Sequence, residues 1–415
     1  MPDSQKIPPR GLARVIDFPK RSALGTVFVR PIDPSKTDRE PWSPYSWKRL
    51  AEAKGPVPIT AGHLACLSMQ PGRVKALRRF LAHAPPSLDA MHLSFTECGD
   101  DDLAAIADVE GLLALYLKAS RVSGDGLASL RSQTRLRTLH LGKLRPGATG
   151  LAHATELPGL LELDLGSTRV SDADLAELAP ARALRHLDLY ETQVHGPGYD
   201  ALRTLSRLRS LNLVHTRLRR DGLASVAKLT SLRELHLPLR IRASALTELA
   251  SLTRLRELRL SGRGPGTPDI YFRGVGDEAL EHLAAMPWLE KLSLSFMPVT
   301  DAGLAFVGRI SSLRTLVLWN TDVRGPGLAH LAGLEHLEAL NLSDTSVGDE
   351  HVAMLIRIRS LRELHLGSTA VTPASSKVLA SMPWLSRLYL PKTFADPEGL
   401  RRLRAALPNT LLALG

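Results

Sequence analysis

Four carboxylates gather near the middle of the chain, at Glu162, Asp164, Asp188 and Glu191, with His186 and Tyr190 beside them. They lie in a segment that repeats itself. The triplet L-x-x-L-x-L falls at Leu160, Leu163 and Leu165 and again at Leu184, Leu187 and Leu189, 24 residues later (184 − 160). Asp164 and Asp188 therefore hold the same place in consecutive repeats. If the repeats stack as parallel strands, the two carboxylates stand about 5 Å apart. Like charges at that distance repel and should draw in a cation or an Arg or Lys from a partner. The alternatives are hydration, or neutralisation by His186 from the neighbouring row. His186 with Asp164 and Asp188 is also a donor set for a metal, and paired carboxylates can serve general acid–base chemistry. Yet a repeat places polar residues in rows without building ligand geometry, and no pocket or nucleophile is evident. A partner's basic side chain is the preferred use, so no catalytic residue, metal ligand or cofactor is assigned.

The elements that must position these residues follow from the period. First-position leucines fall at Leu64, Leu88, Leu112, Leu136, Leu160, Leu184, Leu208, Leu232, Leu255, Leu289, Leu313, Leu337, Leu361 and Leu385, which makes fourteen coils. L-x-x-L-x-L alternates at period two over its last part, so each coil should start with a short strand whose leucines point inward. A threonine recurs at the ninth position (Thr96, Thr168, Thr192, Thr216, Thr321, Thr345, Thr369, Thr393). Its hydroxyl can satisfy backbone groups that a buried turn leaves unpaired. Thr300-Asp-Ala-Gly-Leu-Ala-Phe-Val307 typifies the rest of a coil. Asp301 is expected to cap its own helix, with Leu304 and Val307 facing inward. Strands at about 4.8 Å backed by helices about 10 Å wide force the array to curve, with strands on the concave side.

The consensus L-x-x-L-x-L-x-x-T-x-V-x-D-x-G-L-x-x-L resembles bacterial leucine-rich repeat proteins, particularly the short helical class related to ribonuclease-inhibitor-like and GALA arrays. The resemblance runs from Leu64 to the C-terminus. Leu24-Gly-Thr-Val and Gly55-Pro-Val-Pro-Ile-Thr-Ala-Gly62 are similar to the caps of such arrays. It implies an α/β leucine-rich repeat solenoid (a horseshoe) with a parallel concave sheet, convex helices and a small N-terminal β-containing cap. It also implies protein–protein recognition on the concave wall, and so a non-enzymatic scaffold. An adaptor or effector subunit of a larger bacterial complex is the related alternative. No F-box-like segment is present in residues 1–63.

Three divisions are expected: 1–63 as extension and cap, 64–410 as the array, and 397–415 as a C-terminal cap. In the first, the prolines disfavour long helices. Ala23–Arg30 and Val57–Thr60 read as strands and Trp47–Ala53 as a helical turn. Trp42, Tyr45 and Trp47 cover the end of the core, and residues 1–20 are flexible. At the other end, Leu411, Leu412 and Leu414 are expected to close the last core layer.

On the wall, positions three, five and seven point outward. This places His236 and Arg259 in the polar rows, and Phe296 and Trp319 as an exposed aromatic patch. The Leu255 coil carries about ten extra residues, 262–274. Insertions in solenoids map to loops on one face, often the binding face. Tyr271, Phe272 and Arg273 within it are residue types of interface anchors. Its glycines lack the Lys-Ser/Thr of a phosphate loop.

The net charge is +11 over 415 residues. The excess is arginine scattered through the repeats, with no basic block of five. A solvated surface is therefore preferred over nucleic-acid or polyanion binding, which stays as an alternative. Two cysteines, Cys66 and Cys98, make no disulfide framework and fit a reducing compartment. No stretch reads as a signal peptide or membrane span. The expectation is a cytoplasmic protein, monomeric alone, away from membranes, binding a protein partner of unknown identity.

Overall fold

The computed structural model describes residues 13–31, 47–83, 87–145, 147–238, 241, 243–260 and 276–414. The chain forms two compact units, Met1–Arg209 and Ser210–Gly415.

In the first unit a parallel ladder joins His63–Met69, Ala90–His92, Ala114–Tyr116, Thr138–His140, Glu162–Asp164 and His186–Asp188, each in register with the next. The second unit repeats this arrangement from Ser210–Asn212 through Glu234–Leu237, Glu257–Leu260, Lys291–Ser293, Thr315–Val317, Ala339–Asn341, Glu363–His365 and Arg387–Leu390 to Leu411–Leu414. Fourth- and sixth-position leucines such as Leu163, Leu165, Leu292 and Leu294 are buried. Full burial of each contributes about 1.5–3 kcal/mol relative to exposure.

The turn after the strand is built as expected from threonine, with an addition. Oγ1 of Thr96, Thr168, Thr192, Thr216, Thr321, Thr345 and Thr369 donates to the carbonyl of its own coil's sixth-position leucine at 2.6–2.8 Å. Thr393 departs and bonds Val371 O. The eighth residue of the coil, just before the ninth-position threonine where there is one, is left-handed in ten coils, among them Phe95, Lys143, Glu191, Phe296 and Asp344. None of the ten is glycine. The strain is offset by a hydrogen bond, since Phe95 N, Phe296 N and Asp344 N donate to the seventh-position carbonyl of the following coil.

Asp301 does not cap its own helix, Leu304–Val307. Its carboxylate accepts from Arg324 N, Gly325 N and Gly327 N of the following coil at 2.8–2.9 Å. Asp172 does the same for Gly196 N and Gly198 N. Both recipients belong to a Gly-Pro-Gly step. A Cβ at Gly327 would fall 2.4 Å from Asp301 O, so glycine permits this close approach. The backs of the coils are not uniformly α-helical. Asp125–Ser132, Pro197–Thr204, Ala243–Ser251 and Pro326–Gly333 are 3₁₀ turns, which span a short segment at a longer rise per residue.

Several expectations at the ends change. Lys48–Glu52 is a strand rather than a helical turn, because pairing with Gly25–Pro31 overrides its helix-favouring composition. Arg14–Asp17, expected to be flexible, pairs antiparallel with Pro56–Ile59. The strand His63–Met69 is longer than those that follow it, and Leu64 to Leu67 are all buried. Leu64 and Cys66, two residues apart on one face of that strand, pack in a buried cluster with Trp47, Ala90, Leu113, Ala114 and Tyr116. Trp47 thus covers the start of the strand wall, while Trp42 and Tyr45 lie outside the described residues. At the C-terminus Pro397–Ala406 is a helix as expected. Leu411 and Leu414 are 60 % and 45 % exposed, so they extend the ladder without closing the core.

Removing the Asp301 carboxylate leaves three donors without their acceptor. Asp301→Ala should lower unfolding free energy by about 1–3 kcal/mol in urea. Asp322→Ala, an exposed neighbour, should cost less than about 0.5 kcal/mol.

A candidate protein-binding face

The outward face of the strands carries the candidate residues, and its first rule is local. Where the fifth position is Asp or Asn, the side chain turns back on its own backbone. Asp164 Oδ1 accepts from Gly166 N and Asp188 Oδ1 from Tyr190 N, each at 2.7 Å, and Asn341 Oδ1 from Ser343 N at 2.9 Å. These residues finish the strand as well as display charge.

In the first unit, Glu162 and Asp164 lie in register beside His186 and Asp188. His140 of the preceding coil contacts both carboxylates of the first strand. Its Nε2 is 2.9 Å from Glu162 Oε1, and its Nδ1 is 3.6 Å from Asp164 Oδ2. Asp164 is thus engaged from two sides. Glu191, left-handed and exposed, accepts from Ser167 Oγ at 2.7 Å. The Tyr190 hydroxyl has its pKa raised by desolvation, then by Glu191 and Asp188. Rings continue the row: His92 and Tyr116 lie 5.4 Å apart, and Tyr116 meets His140 edge-on at 4.7 Å.

In the second unit a glutamate at position three pairs with a base at position five of the same strand. His236 Nε2 is 2.8 Å from Glu234 Oε1, and His365 repeats this with Glu363 at 2.7 Å. The His236 contact, chiefly, holds the Glu234 carboxyl below its usual range. Arg259 contacts Glu257 at 2.6 Å and Lys291 reaches the same carboxylate at 3.3 Å. Glu234, His236 and Glu257 bring three donor atoms within 4.8 Å of one another. Two cations already compensate Glu257, however, so a metal would have to displace them.

Beside this cluster a depression of about 590 Å³ opens on the face, lined by Val214, Arg259, Lys291, Phe296, Val317 and Trp319. The aromatic pair is edge-to-face with centroids 4.5 Å apart. The Trp319 indole N–H donates to the Asp344 carboxylate, and Trp319 O accepts from Phe296 N. Trp319 remains 37 % exposed. Phe296 and Trp319 were legible as a patch from sequence. Lys291 was not, because the insertion sets it 34 positions after its register partner Glu257 instead of the usual 24. Tyr271, Phe272 and Arg273 lie outside the described residues. Neither cysteine is poised as a nucleophile. Burial pushes each thiol up to about 12, helped by Asp89 at Cys66 and by Asp102 at Cys98.

A Leucine Rich repeat family model matches residues 333–353. An internalin (inlF) from Listeria monocytogenes is similar in structure, with TM-score 0.50 and 21 % identity over 72 % of this chain and 80 % of that one. The fold is a leucine-rich repeat solenoid. A leucine-rich repeat protein of Leptospira interrogans aligns at TM-score 0.49 and 18 % identity, covering 84 % and 88 % of the two chains. The plant peptide hormone receptor RGFR1, in complex with RGF2, aligns at 0.43 and 19 %, covering 79 % and 51 %. No curated protein matches the chain in sequence. No described helix of the solenoid is long and apolar enough to cross a membrane.

The His92 pKa is lowered from 6.5, first by desolvation and then by His140. A proton therefore binds the unfolded chain more readily than the folded one. Stability is full above the unfolded pKa and is lost as pH falls through the folded one. Thermal melts from pH 8 to pH 5.5 should show a falling Tm, and His92→Gln should flatten that dependence. An unchanged slope would remove His92 from it.

Proposed function

We propose that this solenoid is a non-enzymatic scaffold that binds a partner protein on the outward face of its strands, anchored at the Phe296–Trp319 depression of the second unit. The aromatic pair carries the proposal, with Trp319 exposed and Phe296 half-buried against it. Large aromatic side chains held rigid in a shallow depression are the residue types that dominate interface energies, and Arg259 beside them adds a directional charge. The fixing contacts are in place before any partner arrives, which lowers the ordering cost of binding. The half-buried polar rows on either side supply a rim. His236 contributes to that rim through its contact with Glu234. In the first unit, Glu162, Asp164, His186, Asp188, Tyr190 and Glu191 offer a more acidic stretch of the same wall to a partner's basic side chains, tempered by His140.

Support for a non-catalytic role comes from how the titratable groups are spent. The carboxylates serve the backbone or neighbouring bases, and the thiols are buried and protonated. Tyr271, Phe272 and Arg273 carry no part of the proposal.

Trp319→Ala and Phe296→Ala should each weaken binding of an isolated partner by about 1–4 kcal/mol, measured by calorimetry, with unchanged melting of the free protein. A partner bound equally well by the double variant and by Arg259→Glu would place the interface elsewhere.

A further inference from the structure

The first unit carries a second surface, on the edge where each coil turns up into its strand. The backbone runs as a ladder there: Leu161 N donates to Arg137 O, Arg185 N to Leu161 O and Arg209 N to Arg185 O, each at 2.8 Å. The four segments 133–137, 157–161, 181–185 and 205–209 thus lie side by side. They contain Arg135, Arg137, Arg182, Arg185, Arg207 and Arg209, and no Asp or Glu. The matching edge of the second unit is built differently. There the second-position column alternates in sign, with Arg256 against Glu290 at 3.4 Å and Arg314 against Glu338 at 2.5 Å. In the first unit this column runs Asp89, Leu113, Arg137, Leu161, Arg185 and Arg209, and Asp89 pairs with Arg14.

A depression of about 420 Å³ opens along this edge. Leu157, Pro158, Pro180 and Ala181 are among its apolar lining residues, Arg182 and Arg207 also line it, and no acidic residue does. Both arginines are exposed. Adjacent coils are about 4.8 Å apart, so three steps span roughly 15 Å, the length of four or five extended residues.

We propose that this edge docks an acidic peptide segment of a partner protein, with its carboxylates on Arg182 and Arg207 and an apolar side chain in the depression. Charge complementarity sets the sign of the ligand. The apolar lining favours peptide over nucleic acid, because the depression offers no aromatic platform on which bases could stack. Guanidinium groups pair with carboxylates in a planar, two-point fashion. The surface is separate from the Phe296–Trp319 depression, and neither proposal needs the other.

The test uses the full chain with a ten-residue Glu/Asp-rich peptide carrying one central leucine. A single-stranded oligonucleotide of equal charge is the competitor, at low and moderate salt. The peptide should bind, and Arg182→Glu with Arg207→Glu should weaken it by about tenfold or more. Replacing its leucine by serine should weaken it about fivefold or more. Trp319→Ala should leave it unchanged. The proposal is overturned if no peptide binds at low salt, or if the double charge reversal has no effect. It is equally overturned if the oligonucleotide binds more tightly than the peptide.

Discussion

A buried turn must reverse the chain without abandoning its polar backbone, and this constraint governs every coil. An unpaired N–H or carbonyl inside a leucine core costs about as much as a lost hydrogen bond. Two devices meet it. The ninth-position threonine closes the carbonyl of its own strand's end. The eighth residue adopts a left-handed backbone, so that its N–H reaches the next coil. The second device costs strain at residues as large as Phe95 and Phe296, for which φ above zero is unfavourable. The stacked ladder offsets that cost, and it also points the eighth-position side chains outward. Phe296 reaches the face of the second unit for this reason.

The repeat and its chemistry were legible in different degrees. Leucine spacing and the threonine column are read directly from residue type, because one residue serves one role. The left-handed position was not legible. Its occupants include Phe, Ala, Lys, Glu, His and Asp, and nothing in that mixture signals a backbone conformation that normally selects glycine. Asp301 was placed correctly in the coil but assigned to the wrong turn. A capping aspartate looks the same in sequence whether it serves its own helix or the one stacked on it. Trp47–Ala53 was misread because its helical composition says nothing about the strand Gly25–Pro31 that recruits it.

The surface was legible in its ingredients and not in its pairings. For Glu162 and Asp164 the sequence offered His186 or a partner's base, and His140, one coil back, contacts both. Glu257 is likewise compensated by Arg259 and by Lys291 across the insertion. Arginines that look scattered along the chain fall on one edge once the 24-residue period folds them together. Register, rather than composition, turns a basic protein into one with a basic edge. A solenoid amplifies this effect, since any bias at one position recurs every 4.8 Å or so along the stack.

Residue-resolved hydrogen exchange on the intact chain tests the ladder most directly. The amides of Phe296, Asn320 and Asp344 should exchange about a hundredfold or more slower than exposed loop amides, alongside the strand amides of Leu294 and Leu318. Free exchange at those three left-handed positions, with the strands still protected, would contradict the coil-to-coil bond on which the stacking and the outward aromatic face both rest.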